Sequence, residues 1–291
     1  MPLFTIVIPA FNAEKTIRKC LNSVFDQTFI DYEIVVINDG SNDQTIKILK
    51  EYQNSKLHVY TFKNAGISVT RQRGIELSNG QYIVWLDADD TINPELLETL
   101  HSAIIEHNSP DIIRYQANLV NDHDYEDHNR YNYFGYSNNN VLSGVEALRK
   151  WSNIPSKEYT MYWLFAFKRT IFSSITSFPN LRCHEDMAVI PLLVASAKSV
   201  VTLDYYGYNY TCNNPGSITT TPSKEAERSR AKDFMKAYHY AIQNFALLPN
   251  ISPLDQKLFV SDFDKRRLKK YNLLPKDLKE EFADLFGIQW K

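Results

Sequence analysis

The chain has 291 residues, 44% of them hydrophobic, enough for about two domains, or one domain with a large insertion, around a substantial core. Lys and Arg number 32 against 34 Asp and Glu, a net charge of −2, which gives no electrostatic case for a nucleic-acid binder. Three cysteines (Cys20, Cys183 and Cys212) without CxxC spacing exclude a disulfide framework and a cysteine-ligated zinc, and point to a reducing, cytoplasmic setting.

The N-terminus lacks the basic segment of a signal peptide, and its apolar run Phe4–Ile8 reads as a strand. Asn12 is placed to cap a helix with Ile17, Leu21, Val24 and Phe25 inward. Tyr32–Ile37 is a second strand, ended by the turn signal Asn38-Asp39-Gly40. Ser41 and Gln44 have capping-box spacing and open a helix with Ile46, Leu49 and Tyr52 inward. Leu57–Phe62 is a third strand, and Ile67–Leu77 a helix stopped by Asn79-Gly80. Tyr82–Leu86 is apolar throughout, as in a strand buried on both faces. Pro94 starts a helix carrying Leu96, Leu97, Leu100, Ala103 and Ile104, and Asp111–Tyr115 is a fifth strand. This alternation predicts βαβ units and an α/β fold with a mainly parallel sheet. The polar stretch Asn118–Asn140 reads as loops or an edge hairpin. Helices are expected near Gly144–Trp151, Asp186–Ala197 and Ser223–Leu248, and the rest to Lys291 is helical and charged. No apolar run approaches the ~18 residues of a membrane span.

In an open parallel sheet, ligands bind beyond the carboxyl ends of the strands. Asp39 follows the second strand there, and Asp87, Asp89 and Asp90 follow the fourth. Acids gathered at one edge repel, so a cation or cationic ligand is expected among them. Asp87 and Asp89 lie on the same side of an extended segment, which suits a hard divalent ion with phosphate and water as its other ligands. Taken singly, Asp39 reads equally as a turn residue, and Asp89 and Asp90 as helix caps. Their joint placement is what favours a site.

These residues resemble a known family. Thr5-Ile-Val-Ile-Pro-Ala-Phe-Asn12, Val36-Ile-Asn-Asp-Gly-Ser41, Asn64-Ala-Gly-Ile-Ser68 and Trp85-Leu-Asp-Ala-Asp-Asp90, in this order, resemble the successive signatures of family 2 glycosyltransferases, and His184-Glu185-Asp186 resembles the family's later Glu-Asp motif. The resemblance implies the Rossmann-like GT-A fold: residues 1–116 as the nucleotide-sugar half, 117–222 as the acceptor half of the same domain, and 223–291 as a helical extension. It implies roles by position. Pro9, Phe11, Asn12 and Asn64 belong to the nucleoside region, and Asp39 contacts the base, usually uracil. Arg71 contacts the donor sugar or diphosphate. Asp87 and Ala88 face the ribose and sugar, Asp89 binds Mn²⁺ or Mg²⁺, and Asp186 is the catalytic base, with Glu185 its runner-up and a candidate acceptor contact. The reaction implied is inverting transfer of a hexose from a UDP-sugar to a saccharide or lipid-linked acceptor in cell-surface polysaccharide or glycoconjugate synthesis.

The chain departs from the family pattern at Gln72, where Asn is usual, at Thr211, where Arg is frequent before Gly216-Ser-Ile-Thr219, and at His184, where Gly is common. His184 reads as a surface histidine, or else as a metal or diphosphate contact. The aromatics Tyr131, Tyr133, Phe134, Tyr136, Trp151, Tyr159, Tyr162, Trp163, Phe165 and Phe167 read mainly as core, with Trp163 the candidate acceptor platform. The basic run Lys265–Lys270 reads as a solvated face or as a peripheral contact with anionic lipid at the inner face of the membrane. A nucleotidyltransferase or dehydrogenase would need a glycine-rich loop after the first strand, where this chain has Pro-Ala-Phe-Asn. A non-catalytic partner subunit or carbohydrate-binding protein is the remaining alternative.

Overall fold

The computed structural model describes residues 1–120, 138–152, 160–175, 178–212, 223–249 and 251–288. At its centre, β1 (Phe4–Ala10), β2 (Tyr32–Asn38), β3 (Leu57–Thr61) and β4 (Tyr82–Trp85) form a parallel unit in the order β3-β2-β1-β4. Every residue of β1, β2 and β4 is buried. That double-sided burial is why these strands read as unbroken apolar runs and not as alternation. The connecting helices are α1 (Ile17–Phe25), α2 (Thr45–Lys50) and α3 (Ile67–Leu77). Gly74 lets α3 lie close on the sheet: a Cβ there would stand 2.4 Å from Val7 Cγ1.

The second half widens the sheet. β5 (Thr91–Ile92) precedes α4 (Leu96–Glu106) and β6 (Ile112–Val120), then come β7 (Asn138–Leu142), α5 (Gly144–Ser152), β8 (Phe165–Lys168), α6 (Glu185–Ser196) and β9 (Val200–Thr211). The order continues β4-β8-β6-β9-β5, with β7 also on β9. β8 is antiparallel to both β4 and β6, while β6 and β9 are parallel. The expected fifth strand is therefore β6, one strand removed from β4 and longer than its apolar core.

Two local expectations are corrected. Asn12 does not cap α1, whose cap is Thr16; it adopts φ 50° and its side-chain oxygen accepts from the Asn42 amide at 3.0 Å. Ser41 and Gln44 form no capping box, because Ser41 Oγ accepts from the Asn12 amide at 2.9 Å and α2 begins only at Thr45. Thr45 Oγ1 in turn accepts from the Ala13 amide at 2.8 Å. Polar residues that local spacing assigns to caps instead tie the loop after β1 to the loop after β2.

The extension comprises α7 (Lys224–Phe245), α8 (Pro253–Leu273) and α9 (Lys276–Phe282). Ser223 caps α7, and Ser252 with Asp255 forms a capping box on α8. Arg149 grips Asp255 with two hydrogen bonds of 2.6 and 2.9 Å, fastening α5 to α8. Phe245 and Phe259 stack at 3.7 Å. The basic run pairs within the extension: Arg266 with Asp262, Arg267 with Asp264 and Lys270 with Glu227. Of the apolar residues in and around that run, Phe259, Phe263 and Leu274 are buried, while Leu268 and Leu273 are exposed. No helix among the described residues is long and apolar enough to cross a membrane.

Candidate functional site

Because β1, β2, β3 and β4 are parallel, their carboxyl ends share one edge. Pro9 is buried in β1, and Phe11 just beyond it stays 51% exposed, an uncovered aromatic at that edge. Asp39, at the end of β2, is buried. One carboxylate oxygen accepts from the Ala65 amide and the other from the Gly66 amide, both at 2.9 Å. Asn64 Nδ2 donates to the Asp39 carbonyl at 3.0 Å. Gly66 has φ 89°, which only glycine adopts cheaply, and this turns its amide toward the acid. Arg73 completes the cluster: its guanidinium lies 4.3 Å from the Phe62 ring centre and 3.5 Å from Asp39 Oδ1. The sequence motifs passed over Arg73, which lies in the middle of α3.

The acids after β4 divide by environment. Asp87 and Asp89 are part-exposed, and Ala88 between them is buried. Asp90 is buried and structural: it accepts from Tyr208 Oη and from the Thr211 amide, both at 2.6 Å. Burial, then repulsion from Asp89 and Asp87, pushes its carboxyl well above the usual range. The same Tyr208 hydroxyl accepts from the Asp87 amide at 3.2 Å. β9 therefore fixes the loop from behind, a role no local motif announces.

On the other side stands α6. Arg71, on α3, donates from Nε to Glu185 at 3.0 Å and from Nη2 to Asp87 at 3.1 Å. It is 5% exposed, and its guanidinium lies over Tyr162 at 4.6 Å and Trp85 at 5.1 Å. Burial lowers the affinity of Arg71 for its proton, but Asp87 and Glu185 outweigh that and raise it. Glu185 is buried at the first position of α6, while Asp186 beside it is part-exposed and accepts from the Met187 amide at 2.7 Å. Of the two acids, Asp186 is the one open to an incoming group.

Two further expectations change. Trp163 is 4% exposed, stacked with Tyr208 at 4.7 Å and Tyr210 at 5.4 Å, so it offers no platform to a sugar. His184 is not a surface histidine: its ring sits edge-on to Phe234 and its Nε2 is buried without a partner. Burial, with Lys270 nearby, lowers its pKa to about 4. His184 holds φ 64° at the cap of α6, the left-handed conformation that suits glycine. Trp151, Tyr162, Phe165 and Phe167 are core. Tyr131, Tyr133, Phe134, Tyr136, Tyr159 and the Gly216–Thr219 segment lie outside the described residues.

Among the described residues no group of three or more His, Cys, Asp or Glu could by itself hold a metal ion. Asp87 and Asp89, both part-exposed on one loop, are oxygen donors of the kind a hard divalent cation takes beside phosphate and water. The edge thus offers an acidic pair suited to a cation, an Asp39–Arg73 pair beside an exposed aromatic, and a carboxylate on α6.

A model of glycosyl transferase family 2 matches residues 5–171. The chain is 28% identical over 234 residues, 78% of its length and 65% of the relative's, to the uncharacterized glycosyltransferase EpsJ of Bacillus subtilis (strain 168). It spans less than two thirds of the curated relatives it matches first. Among solved structures, S. aureus TarS 1-349 in complex with UDP-GlcNAc superposes with a TM-score of 0.63 at 20% identity, covering 97% of this chain and 87% of that one. The mannosyltransferase PcManGT from Pyrobaculum calidifontis, in complex with GDP-Man and Mn2+, gives 0.55 at 14% identity, covering 97% and 79%. At these identities the structural likeness speaks for the fold.

Proposed function

The chain belongs to glycosyl transferase family 2, and from that premise we propose that it is a metal-dependent, inverting hexosyltransferase. It takes a hexose from a UDP-sugar to a saccharide or lipid-linked saccharide acceptor, in cytoplasmic assembly of a cell-surface polysaccharide or glycoconjugate. The observation that carries this reading is the Arg71 bridge, which joins Asp87 of the loop after β4 to Glu185, the chain neighbour of the part-exposed Asp186. UDP-GlcNAc in TarS favours a uridine donor, and GDP-Man with Mn2+ in PcManGT favours a metal.

In this proposal residues 1–116 bind the donor, 117–222 the acceptor, and 223–291 brace α6. Pro9, Phe11, Asn12 and Asn64 border the nucleoside. Asp39 and Arg73 meet the base edge, with Asp39 accepting and Arg73 donating. Asp87 and Ala88 lie along the ribose and sugar, and Asp89 with Asp87 holds Mn²⁺ or Mg²⁺. A bound cation supplies charge neutralisation to the departing diphosphate. Asp186 takes the acceptor hydroxyl proton as that oxygen attacks C1, a contribution of about 10²–10⁴-fold. The nucleoside diphosphate leaves from the opposite face, so one displacement inverts the anomeric centre.

A thermal-shift screen of UDP- and GDP-sugars with and without Mn²⁺ tests this, because a donor that binds only the folded chain raises its melting temperature. The expected result is Mn²⁺-dependent stabilisation by a UDP-sugar that Asp89→Ala abolishes while the variant stays folded. Stabilisation by no nucleotide sugar would overturn the donor assignment. Binding without UDP release in any acceptor mixture would favour a non-catalytic carbohydrate-binding role.

A further inference from the structure

Arg71 has an unusual setting for a residue expected to touch a donor. Its Nη1 is buried and meets no acceptor, and the whole side chain is 5% exposed. Its two remaining arms reach acids far apart in sequence: Asp87, 16 residues on, and Glu185, 114 residues on. The rings of Trp85 and Tyr162 cover the guanidinium. A planar fork held this way can satisfy two carboxylates at fixed angles, which an ammonium cannot.

We propose that Arg71 is a positioning residue that couples the donor loop to the acid-bearing helix, and that Glu185 is its counter-ion and not a base. This deepens the transferase reading and rests on it for the roles of Asp87 and Asp186. The geometry explains the difference between the neighbouring acids of α6. Glu185 turns inward, spends an oxygen on Arg71 Nε and is closed to solvent. Asp186 is thereby left outside. At the other end, Nη2 bonds Asp87 Oδ1, while Tyr208 bonds the Asp87 amide. The loop is thus gripped through both its side chain and its backbone. A shift of α6 moves Glu185, hence Arg71, hence Asp87. A donor bound at Asp87 and Asp89 would stiffen the start of α6 through the same three groups, readying Asp186 only when a donor is in place.

The test is a double-mutant cycle on two readouts: melting temperature, and UDP affinity measured by calorimetry with Mn²⁺. Its variants are Arg71→Met, Glu185→Gln and the pair. Glu185→Gln touches only the arm remote from the donor loop, yet it should weaken UDP binding in the presence of Mn²⁺ by about three- to tenfold, and only while Arg71 is present. In the Arg71→Met background the same change should cost nothing in UDP affinity and should restore part of the melting temperature, because it neutralises a buried acid left without its counter-ion. If Arg71→Met does not fold, Arg71→Lys replaces it, since Lys keeps the charge and loses the fork. Unchanged UDP affinity in Glu185→Gln, or effects that add across the cycle, would overturn the coupling. Should UDP not bind the wild-type chain at all, the donor assignment fails. The melting-temperature cycle then still decides whether Arg71 and Glu185 act as one unit.

Discussion

Tyr208 and Asp90 share a buried hydrogen bond of 2.6 Å, and through it β9 carries the loop that ends β4. The Tyr208 hydroxyl also receives the Asp87 amide, so one oxygen serves two residues of that loop. Tyr208→Phe keeps the ring stack with Trp163 and removes only this oxygen. The expected loss is about 1–3 kcal/mol of stability, the cost of leaving buried polar groups unsatisfied. Urea denaturation reads it, and Mn²⁺-dependent UDP affinity should fall with it. Stability unchanged within error would show that the loop holds itself.

Asp39→Asn probes the other strand end. The carboxylate accepts two amides, from Ala65 and Gly66, and the Asn side chain has one oxygen for the pair. The variant should lose roughly 1–3 kcal/mol of stability. It should also bind UDP more weakly without metal, because the loop that borders the nucleoside loses its anchor. A variant as stable as wild type would mean the two amides find water instead.

Asp186→Asn preserves shape and removes the proton acceptor. Asp186 is part-exposed and does not hold Arg71. UDP affinity should therefore match wild type, while transfer falls by about 10²–10⁴-fold. Retained transfer would move the base elsewhere.

His184 gives a pH dependence with a definite sign. Its folded pKa, lowered to about 4 by burial first and Lys270 second, lies below the ordinary value of 6.5. A depressed pKa contributes stability that is complete above the unfolded value and is lost as pH falls through the folded one. The groups around the ring are Lys270, Asp233, Arg230 and Glu227. Wild type should lose stability between pH 6.5 and about 4, by no more than about 3 kcal/mol. His184→Asn, which tolerates the left-handed backbone, should flatten that slope in a melting series. An unchanged slope would assign it to other groups.

The parallel core was legible because burial on both faces makes β1, β2 and β4 unmistakable as apolar runs, and because α3 keeps its expected bounds, Ile67–Leu77. β8 and β9 were not foreseen. Phe165–Lys168 is four residues long, and Val200–Thr211 mixes Gly207 with part-exposed and buried tyrosines, so neither shows a clean period. The caps misled for a different reason. Asn12 and Ser41 have the right chemistry for helix starts, but each found a stronger partner across the neighbouring loop. In the site, the acids announced themselves by motif, whereas Arg73, Tyr208 and the inward turn of Glu185 depend on contacts between segments far apart in the chain. Spacing within one element carries no trace of such contacts.

The reach of β9 back to Asp90 also sets an order of events on the ribosome. Tyr208 and Thr211 are translated 118 and 121 residues after the acid they satisfy, a delay of roughly 6–24 s at common elongation rates. During that interval the nascent four-strand unit carries an unfinished loop after β4. It also exposes the edge of β4 that Phe165–Lys168 later covers, an open template for strangers. Chaperone demand should therefore peak while this middle stretch is being made, and ease once β9 has emerged.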